Sequence, residues 1–545
     1  MVKLRVLVHR DYIEPVLHRL GELQSIQLTP VENRIDELET ELAPERTEQQ
    51  ETWASLQSRV AALISALRIR RLPGRVERKR VQLGVVSALL KEVEGRVAEV
   101  EETVQETQAQ MAQLQTGTRR LLPRRMLRGK SLQIRLHETA RQAGPELLAV
   151  SEILEAQRRV EEAKQKMLRT GDTYLFEGWV PEDRLDETLQ TVRKASAGYC
   201  EILSQHRPEP QPGKGSPVSR PPTLLRYPRF TSVFEIFASL GRAFGLPSYY
   251  EIDPTIFFLV SFPIIFGMMY GDIGHGILLL MAAVWLYRLR NRVTLKPGSI
   301  SSYAVNGSPL LMLCASSSIV FGFLYGEVFG SEEWFRDMTG LPGPLWFSPV
   351  QSPITLLRIS IYVGIVHITF GLLLGTLNRV LAHDFKGALS GPIVWLWLYA
   401  SGAYLVVRYG FGVFQVAFDP AIFGVFLVPP IVTMFVLKLL WYGIAGINET
   451  TEALLVSFSH SVSYARILAL KLVDSSFSLL LLPTSILGLV PFAIGTLALI
   501  LIFETLLAFL HTLRLHWIEW FSKFYQGTGY PFRPFTIVRD FTALG

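Results

Sequence analysis

Arg466 is a charged residue inside a segment that is otherwise long and apolar enough to cross a membrane. A guanidinium near the middle of such a segment costs about 2.5–3.5 kcal/mol on insertion scales. It does not readily lose its proton, because its pKa lies above about 12. Arg514 repeats the theme in the last apolar segment, within 506–517. A single intramembrane arginine can snorkel or form a structural ion pair, but two of them favour a path for ions.

The last two apolar segments also hold carboxylates at spacings that suit such a path. Glu452 precedes Arg466 by nearly four helical turns, so the two share a face about 21 Å apart along the helix axis. Asp474 follows Arg466, and Glu504 precedes Arg514 by about 15 Å. If the first segment runs outward and the second returns, Glu452 lies on the inner side of the arginines and the other two acids on the outer side. Further polar candidates here are His460, Ser463, Tyr464 and His511.

This layout predicts two offset aqueous half-paths that meet at a positive barrier. A carboxylate about 4 Å from Arg466 gains about 4 kcal/mol in its ionised form at an effective dielectric constant of about 20. A membrane-buried acid would otherwise stay protonated, so an acid passing Arg466 would release its proton or exchange a Na⁺. The fixed charge would also prevent cations from running directly from one half-path to the other.

The composition divides the chain into two regions. Of the 545 residues, 49% are hydrophobic, but residues 1–225 are rich in Glu, Arg and Gln, and long apolar runs dominate from about residue 254. This predicts a soluble domain followed by a polytopic membrane domain. The net charge of +6 does not indicate nucleic-acid binding, because many basic residues flank the apolar runs. Two cysteines, Cys200 and Cys314, indicate neither a disulfide framework nor a metal site, which is typical of a reducing cytosol.

The soluble half contains two βαβ patterns that lie far apart in the sequence. They predict one α/β lobe that is split by an insertion. The expected strands are 3–9, 25–29, 173–180 and 199–204, and the expected helices are 12–23 and 182–197.

The insertion has apolar residues at helical spacing over 31–70, 81–114 and 147–168. We predict a long antiparallel helical stalk, with a merely solvated helical bundle as the alternative. Gly129-Lys130-Ser131 resembles the end of a phosphate-binding loop, but Arg124 stands where that motif needs glycine. We therefore expect no nucleotide site, no cofactor, no metal and no enzymatic activity of the chain on its own.

The membrane half is predicted to cross the bilayer eight times. The first two spans form a tight hairpin, and the last two are long enough to be tilted or kinked, with Pro483 near their turn. The expected domains are 1–206 (cytoplasmic), 207–252 (linker and membrane approach) and 253–545 (transmembrane). The expected spans are 255–272, 274–290, 308–329, 354–378, 389–410, 421–441, 449–484 and 486–520.

Charge around these spans predicts their orientation. The loop after the second span carries basic residues at 288–296 without an acid, so we place it in the cytoplasm. The loop after the third span is acidic at 332–337 and is placed outside. Lys523, Arg533 and Arg539 then put the C-terminus in the cytoplasm, and the same alternation puts the soluble half there too.

Glycine is dense at 266–276 and at 321–330, which favours close packing of helices through small residues. Asp272 and His275 lie in the first of these stretches, at the tight hairpin. Two ligands make a weak metal site. We expect instead that they form a hydrogen-bonded structural cap at the hairpin.

Several stretches together resemble subunit I, also called subunit a, of prokaryotic V/A-type rotary ATPases. The resemblance covers most of the chain and is strongest from about residue 221 onward. The matching stretches are 178–181, 253–255, 266–276, 321–330, 463–470 and 513–535, the last of which includes Tyr530-Pro531-Phe532-Arg533-Pro534-Phe535.

The resemblance implies roles for the charged residues. The essential arginine of the family falls on Arg466, its second arginine on Arg514, and its channel glutamates on Glu452 and Glu504. A channel position that is histidine in eukaryotic relatives is Asp474 here. The chain would be the static half of an ion channel for H⁺ or Na⁺, in the plasma membrane of a bacterium or archaeon, and would not itself bind ATP.

The resemblance also implies partners. They are a ring of small proteolipid subunits with buried carboxylates, peripheral-stalk subunits on the cytoplasmic domain, a central-stalk connecting subunit, and membrane lipid. Two alternatives remain from the residues alone: a self-contained secondary transporter, which would favour inverted repeats, and a membrane-anchored scaffold, which would tolerate neutral residues at all the charged positions.

Overall fold

The chain folds as two compact units in a computed structural model. Unit 1 comprises Met1–Glu209, Gly215–Pro221 and Phe532–Gly545, and unit 2 comprises Pro210–Lys214 and Pro222–Pro531. The structure describes residues 1–31, 49–67, 69, 79–81, 102, 104–106, 109, 122–207, 220–225, 232–290, 292, 298–412, 419–481 and 501–544.

An antiparallel sheet with two helices forms the lobe of unit 1. Along β1, alternate residues from Val2 to Val8 are fully or nearly fully buried, as expected for a strand with one face on the core. The strand order β2-β5-β1-β6 interleaves the two βαβ halves, so the predicted split α/β lobe is confirmed. The elements are β1 Val2–His9, α1 Ile13–Leu23, β2 Gln27–Thr29, β5 Thr173–Val180, α4 Leu185–Ala195 and β6 Cys200–His206, with β4 Leu168–Thr170 paired to β5.

Two long helices in the insertion pack on each other. They are α2, Gln49–Ala66, and α3, Leu122–Lys164. Their shared core includes Val60 and Leu63 on α2 and Leu147 on α3. Helix α3 starts at Leu122, much earlier than the predicted 147. Pro123 lies in its first turn, where a proline is compatible with a helix start. Most of the predicted helix at 81–114 lies outside the described residues.

The C-terminal segment folds into unit 1, although the sequence assigned residues up to 545 to the membrane domain. Ile537 is buried in the lobe core, and its N–H donates to the carbonyl of Gly21 at 2.9 Å. The Glu152 carboxylate accepts backbone N–H groups from Asp540, Phe541 and Thr542 at 2.7, 2.7 and 3.0 Å. Strand β7, Thr542–Leu544, pairs with β3, Lys79–Val81. These contacts join residues from 388 positions apart (Glu152 and Asp540) to 516 positions apart (537 − 21, for Gly21 and Ile537), and sequence patterns do not show such long-range contacts.

His18 makes the attachment of this tail dependent on pH. Its Nδ1 lies 3.1 Å from Arg539 Nη2, and burial together with the Arg539 charge lowers the pKa of His18 to about 4. The neutral form therefore stabilises the fold above about pH 6.5, and this contribution, on the order of 3 kcal/mol, is lost as the pH falls toward 4. We expect hydrogen exchange of 535–544, measured by mass spectrometry in the detergent-solubilised protein, to lose protection over that range. His18→Gln should remove most of this dependence, and equal pH profiles for the two proteins would contradict the prediction.

Unit 2 is helical. Among the residues that the structure describes, seven helices are long and apolar enough to cross a membrane, and Thr255–Met269 is a shorter apolar helix of 15 residues, in broad agreement with the predicted eight spans. The predicted span at 486–520 is described only from residue 501. The helices are α5 Ser232–Phe244, α6 Thr255–Met269, α7 Ile273–Arg290, α8 Ile300–Asn306, α9 Ser308–Tyr325, α10 Glu332–Thr339, α11 Pro353–Leu381, α12 Val394–Tyr409, α13 Val428–Tyr442, α14 Ile444–Ser463, α15 Arg466–Leu481 and α16 Thr505–Arg514.

The hairpin between α6 and α7 packs tightly on α9. Gly322 lies where any Cβ would overlap the backbone nitrogen of Ile273, so a larger residue would push the helices apart. Phe258, Phe262 and Trp520 lie in the buried aromatic core nearby. This packing fixes the hairpin relative to the helices that carry the charged residues.

Candidate functional site

Arg466 begins α15 directly after a tightened turn. The N–H groups of Tyr464 and Ala465 donate to Ser461 and Val462, three residues back rather than four. The Arg466 Nε donates to the Ser463 carbonyl at 3.1 Å. The predicted seventh span is thus interrupted at its middle, and Arg466 stands at the interruption.

An internal carboxylate pairs with Arg466. The Arg466 Nη2 lies 2.5 Å from Glu519 Oε1. The Glu519 side chain is 1% exposed, whereas that of Arg466 is 20% exposed. Within the described part of the chain, Arg466 Nη1 and Glu519 Oε2 are buried without a hydrogen-bond partner. Glu519 is not among the residues predicted from the sequence; its signal there is an acid in an apolar segment, five residues after Arg514.

The exposed part of Arg466 faces an open groove of about 570 Å³. Small side chains line most of it, so another helix could approach closely there. The lining residues are Ser459, Val462, Ser463, Ala465, Arg466 and Ala469.

A second charged group, which we call the Lys471 cluster, comprises Lys471, Asp474, Glu327 and His275. The fully buried Lys471 ammonium lies 2.8 Å from Asp474 Oδ2 and 2.8 Å from Glu327 Oε2. His275 Nδ1 lies 3.4 Å from Asp474 Oδ1. Buried charges are tolerated when they are paired in this way. Asp474 is thus held between two basic side chains rather than standing alone in a path.

Glu504 lies beside the Lys471 cluster. Its side chain is buried and within electrostatic range of Asp474 and His275. No hydrogen bond of normal length reaches either of its carboxylate oxygens among the residues that the structure describes, although the Asp474 carboxylate is close enough to interact with it. Glu504 is therefore not held by a basic side chain in the way that Asp474 is held by Lys471.

Asp272 ties the hairpin to the loop after α9. Its carboxylate accepts N–H groups from His275 and Phe329 at 3.0 Å each and from Gly330 at 2.7 Å. This is the geometry of a structural cap. His275 belongs both to this cap and to the Lys471 cluster, a connection that the sequence analysis did not predict.

The remaining candidates are dispersed. Glu452 and Arg514 are exposed, and the structure does not bring Glu452 next to Arg466. His511 is within electrostatic range of both Arg466 and Arg514. The Tyr464 hydroxyl lies 2.8 Å from His367 Nδ1, and both side chains are buried.

His460 lines a cavity of about 460 Å³ on the α14 side of Arg466. Arg379, Lys438, Glu449 and Lys523 also line this cavity, so its walls carry charged as well as apolar side chains. His460 itself is buried and interacts electrostatically with Arg466. Charged groups therefore lie on each side of Arg466 along the chain: those lining this cavity before it and the buried Lys471 cluster after it.

The chain is similar to membrane subunits of rotary ATPases. The V-type ATPase 116kDa subunit family matches residues 79–336 and 444–537. A-type ATP synthase subunit I of Methanothermobacter thermautotrophicus is 28% identical over 414 residues, which cover 73% of this chain and 57% of that relative. The same subunit of Pyrococcus horikoshii is 29% identical over 419 residues, with coverages of 73% and 59%.

The similarity extends to eukaryotes. The vacuolar proton translocating ATPase 100 kDa subunit of Dictyostelium discoideum is 25% identical over 490 residues, with coverages of 67% and 58%. The chain spans less than two thirds of the length of each of these relatives. The family match extends over more than half of the chain and includes both the hairpin and the segments that hold Arg466, Glu504 and Arg514, and so this membrane protein belongs to the V-type ATPase 116kDa subunit family.

Proposed function

We propose that this chain is the static ion-translocating subunit of a V/A-type rotary ATPase or ATP synthase. The observation that carries the proposal is the position of Arg466. Its guanidinium stands at an interruption of a membrane-length segment and lines an open groove of small residues. A fixed positive charge in such a groove suits a passing carboxylate on a partner helix.

The polar groups on the two sides of Arg466 would supply the half-paths of this proposal. Glu504 and the Lys471 cluster form the outer half-path, in which Glu504 exchanges protons and Lys471 keeps Asp474 ionised. Glu452, His460 and the cavity next to His460 form the inner half-path. Arg466 separates them, and Arg514, through His511, adds positive charge to the same barrier.

The partners in this proposal are those that the family resemblance implies. A ring of small membrane subunits, each with a buried carboxylate, would rotate past Arg466, so that ion flow is coupled to rotation. Peripheral-stalk subunits would hold unit 1, a central-stalk connecting subunit would turn with the ring, and lipid would cover the other apolar faces. The N- and C-termini would lie in the cytoplasm of a bacterium or archaeon, and ATP would bind on other subunits.

Cross-linking tests whether a ring subunit occupies the groove. Val462 lines the groove and is 55% exposed, whereas Val432 on α13 is 51% exposed elsewhere. In a background with Cys200→Ser and Cys314→Ala, we expect Val462→Cys carrying a photoreactive maleimide to cross-link to a small proteolipid in native membranes. Val432→Cys should give far less of this product. Equal yields at the two positions would count against a ring in the groove.

A further inference from the structure

Glu519 is a buried carboxylate, and a buried charge is costly unless an opposite charge or hydrogen bonds compensate it. Its side chain is 1% exposed, and it lies in Leu515–Trp520, a wide π-helical turn that continues α16. Such turns are rare and are frequent at functional sites. One of its oxygens contacts Arg466, and the other has no partner among the described side chains and backbone groups.

Other groups around Glu519 do not replace this contact. Lys523, about one turn further along the chain, and the buried Tyr464 are both within electrostatic range of Glu519. Among the ion pairs of the described residues, Glu519 is found with Arg466 alone. The contact joins α15 to the turn after α16 and therefore fixes the position of the guanidinium in the groove.

The charge of Glu519 also affects how quickly a carboxylate of a partner subunit can separate from Arg466. A lone guanidinium in a low-dielectric groove would attract a passing carboxylate strongly, and the pair would separate slowly. A carboxylate already in contact with the guanidinium offsets much of that attraction. The guanidinium keeps its positive charge and still blocks cations, but the carboxylate of the partner binds it only transiently.

We propose that Glu519 is a positioning residue that holds Arg466 at the groove and offsets its charge, so that each ring carboxylate is released quickly. The inference rests on the proposed function, because it requires a carboxylate that moves past Arg466. Glu519 would thus affect how fast the ring rotates, whereas Arg466 would couple that rotation to ion flow.

The test uses the complete complex in inverted membrane vesicles, with ATP hydrolysis and ATP-driven acidification measured in the same preparation. We expect Glu519→Gln to slow both rates by roughly tenfold, the change expected for one charge-assisted contact. The ratio of acidification to hydrolysis should stay that of wild type. Glu519→Asp, which keeps the charge, should turn over faster than Glu519→Gln. Glu332→Gln is the matched control, since Glu332 contacts Gln351 at the exposed surface, and it should behave as wild type.

A merely structural role would lower the amount of assembled complex without slowing the complex that remains. All rates are therefore divided by the ATPase content of the vesicles. Unchanged turnover in Glu519→Gln, equal turnover in the Gln and Asp variants, or failure of both to assemble would overturn the proposal. Each of these results leaves the proposed function standing if Arg466→Gln abolishes acidification, whereas acidification that survives Arg466→Gln overturns the function itself.

Discussion

Replacing Arg466 with glutamine is expected to abolish ATP-driven acidification of inverted vesicles while the ATP-hydrolysing part stays attached. On the proposed function, the substitution removes the fixed charge that would separate the two half-paths and would ionise a passing carboxylate. A change of about 4 kcal/mol in that interaction corresponds to roughly a thousandfold in the ionisation equilibrium, so residual pumping should be near background. The measurement is the initial rate of acidification per unit of attached ATPase.

Glu519 must be controlled in this experiment. Arg466→Gln leaves the buried carboxylate of Glu519 without a counter-ion, and this alone can destabilise the fold. The double variant Arg466→Gln with Glu519→Gln removes this unpaired charge. It should assemble better than Arg466→Gln alone, yet it should still fail to pump. Arg466→Lys keeps a charge but loses the planar fork, and it should restore little activity. Unchanged pumping in Arg466→Gln would make the arginine structural, and an ion path would then have to be rebuilt around Arg514 or abandoned.

Replacing Lys471 with methionine is expected to destabilise unit 2 strongly. The Asp474 and Glu327 carboxylates both contact its ammonium, and both are buried, so Glu327 would remain as an uncompensated charge and Asp474 would keep only His275 beside it. Breaking a buried ion pair in this way costs about 3–5 kcal/mol. We expect the midpoint of thermal unfolding in detergent to fall by roughly 10 °C. The fully buried Cys314 reports on this unit when a thiol-reactive dye is used in a Cys200→Ser background.

A compensating variant separates stability from transport. Lys471→Met combined with Asp474→Asn and Glu327→Gln removes all three charges, and replacing a buried ionic group as a whole is often nearly neutral for stability. This triple variant should unfold close to the wild-type midpoint. Its pumping should nevertheless be lower, because the charges beside Glu504 are gone. A wild-type midpoint for Lys471→Met alone would show that the ammonium is dispensable for the fold.

The architecture could largely be predicted from the sequence because its signals are local. Alternation of buried and exposed residues in Val2–His9 indicates a strand with one face on the core, whatever the rest of the chain does. Long apolar runs indicate membrane-length helices by composition alone. Where such a signal is weak, the prediction was less accurate: α3 begins at Leu122 rather than 147, since its N-terminal half has no apolar periodicity as clear as the rest.

The partners of the charged residues could not be predicted in the same way. Arg466 and Glu519 are separated by 53 residues, and Glu327 is separated from Ser475, its hydrogen-bond donor, by 148. The sequence shows that each charge is present in an apolar surrounding and therefore needs compensation, but it does not show which opposite charge supplies it. The contact of the C-terminal tail with Glu152, which lies 390 positions before Thr542, could not be predicted for the same reason.

The sequence by itself determined that this protein has a split α/β lobe and a helical membrane unit, and it indicated Arg466 as the candidate centre of its chemistry. These properties depend on residue type and on spacing within one element, both of which are visible along the chain. Only the tertiary structure decided that Glu519 pairs with Arg466, that Lys471 holds Asp474 and Glu327, and that Glu504 lies beside Asp474. Ion pairing depends on distances of a few ångströms between different elements, and those distances are set by how the helices pack.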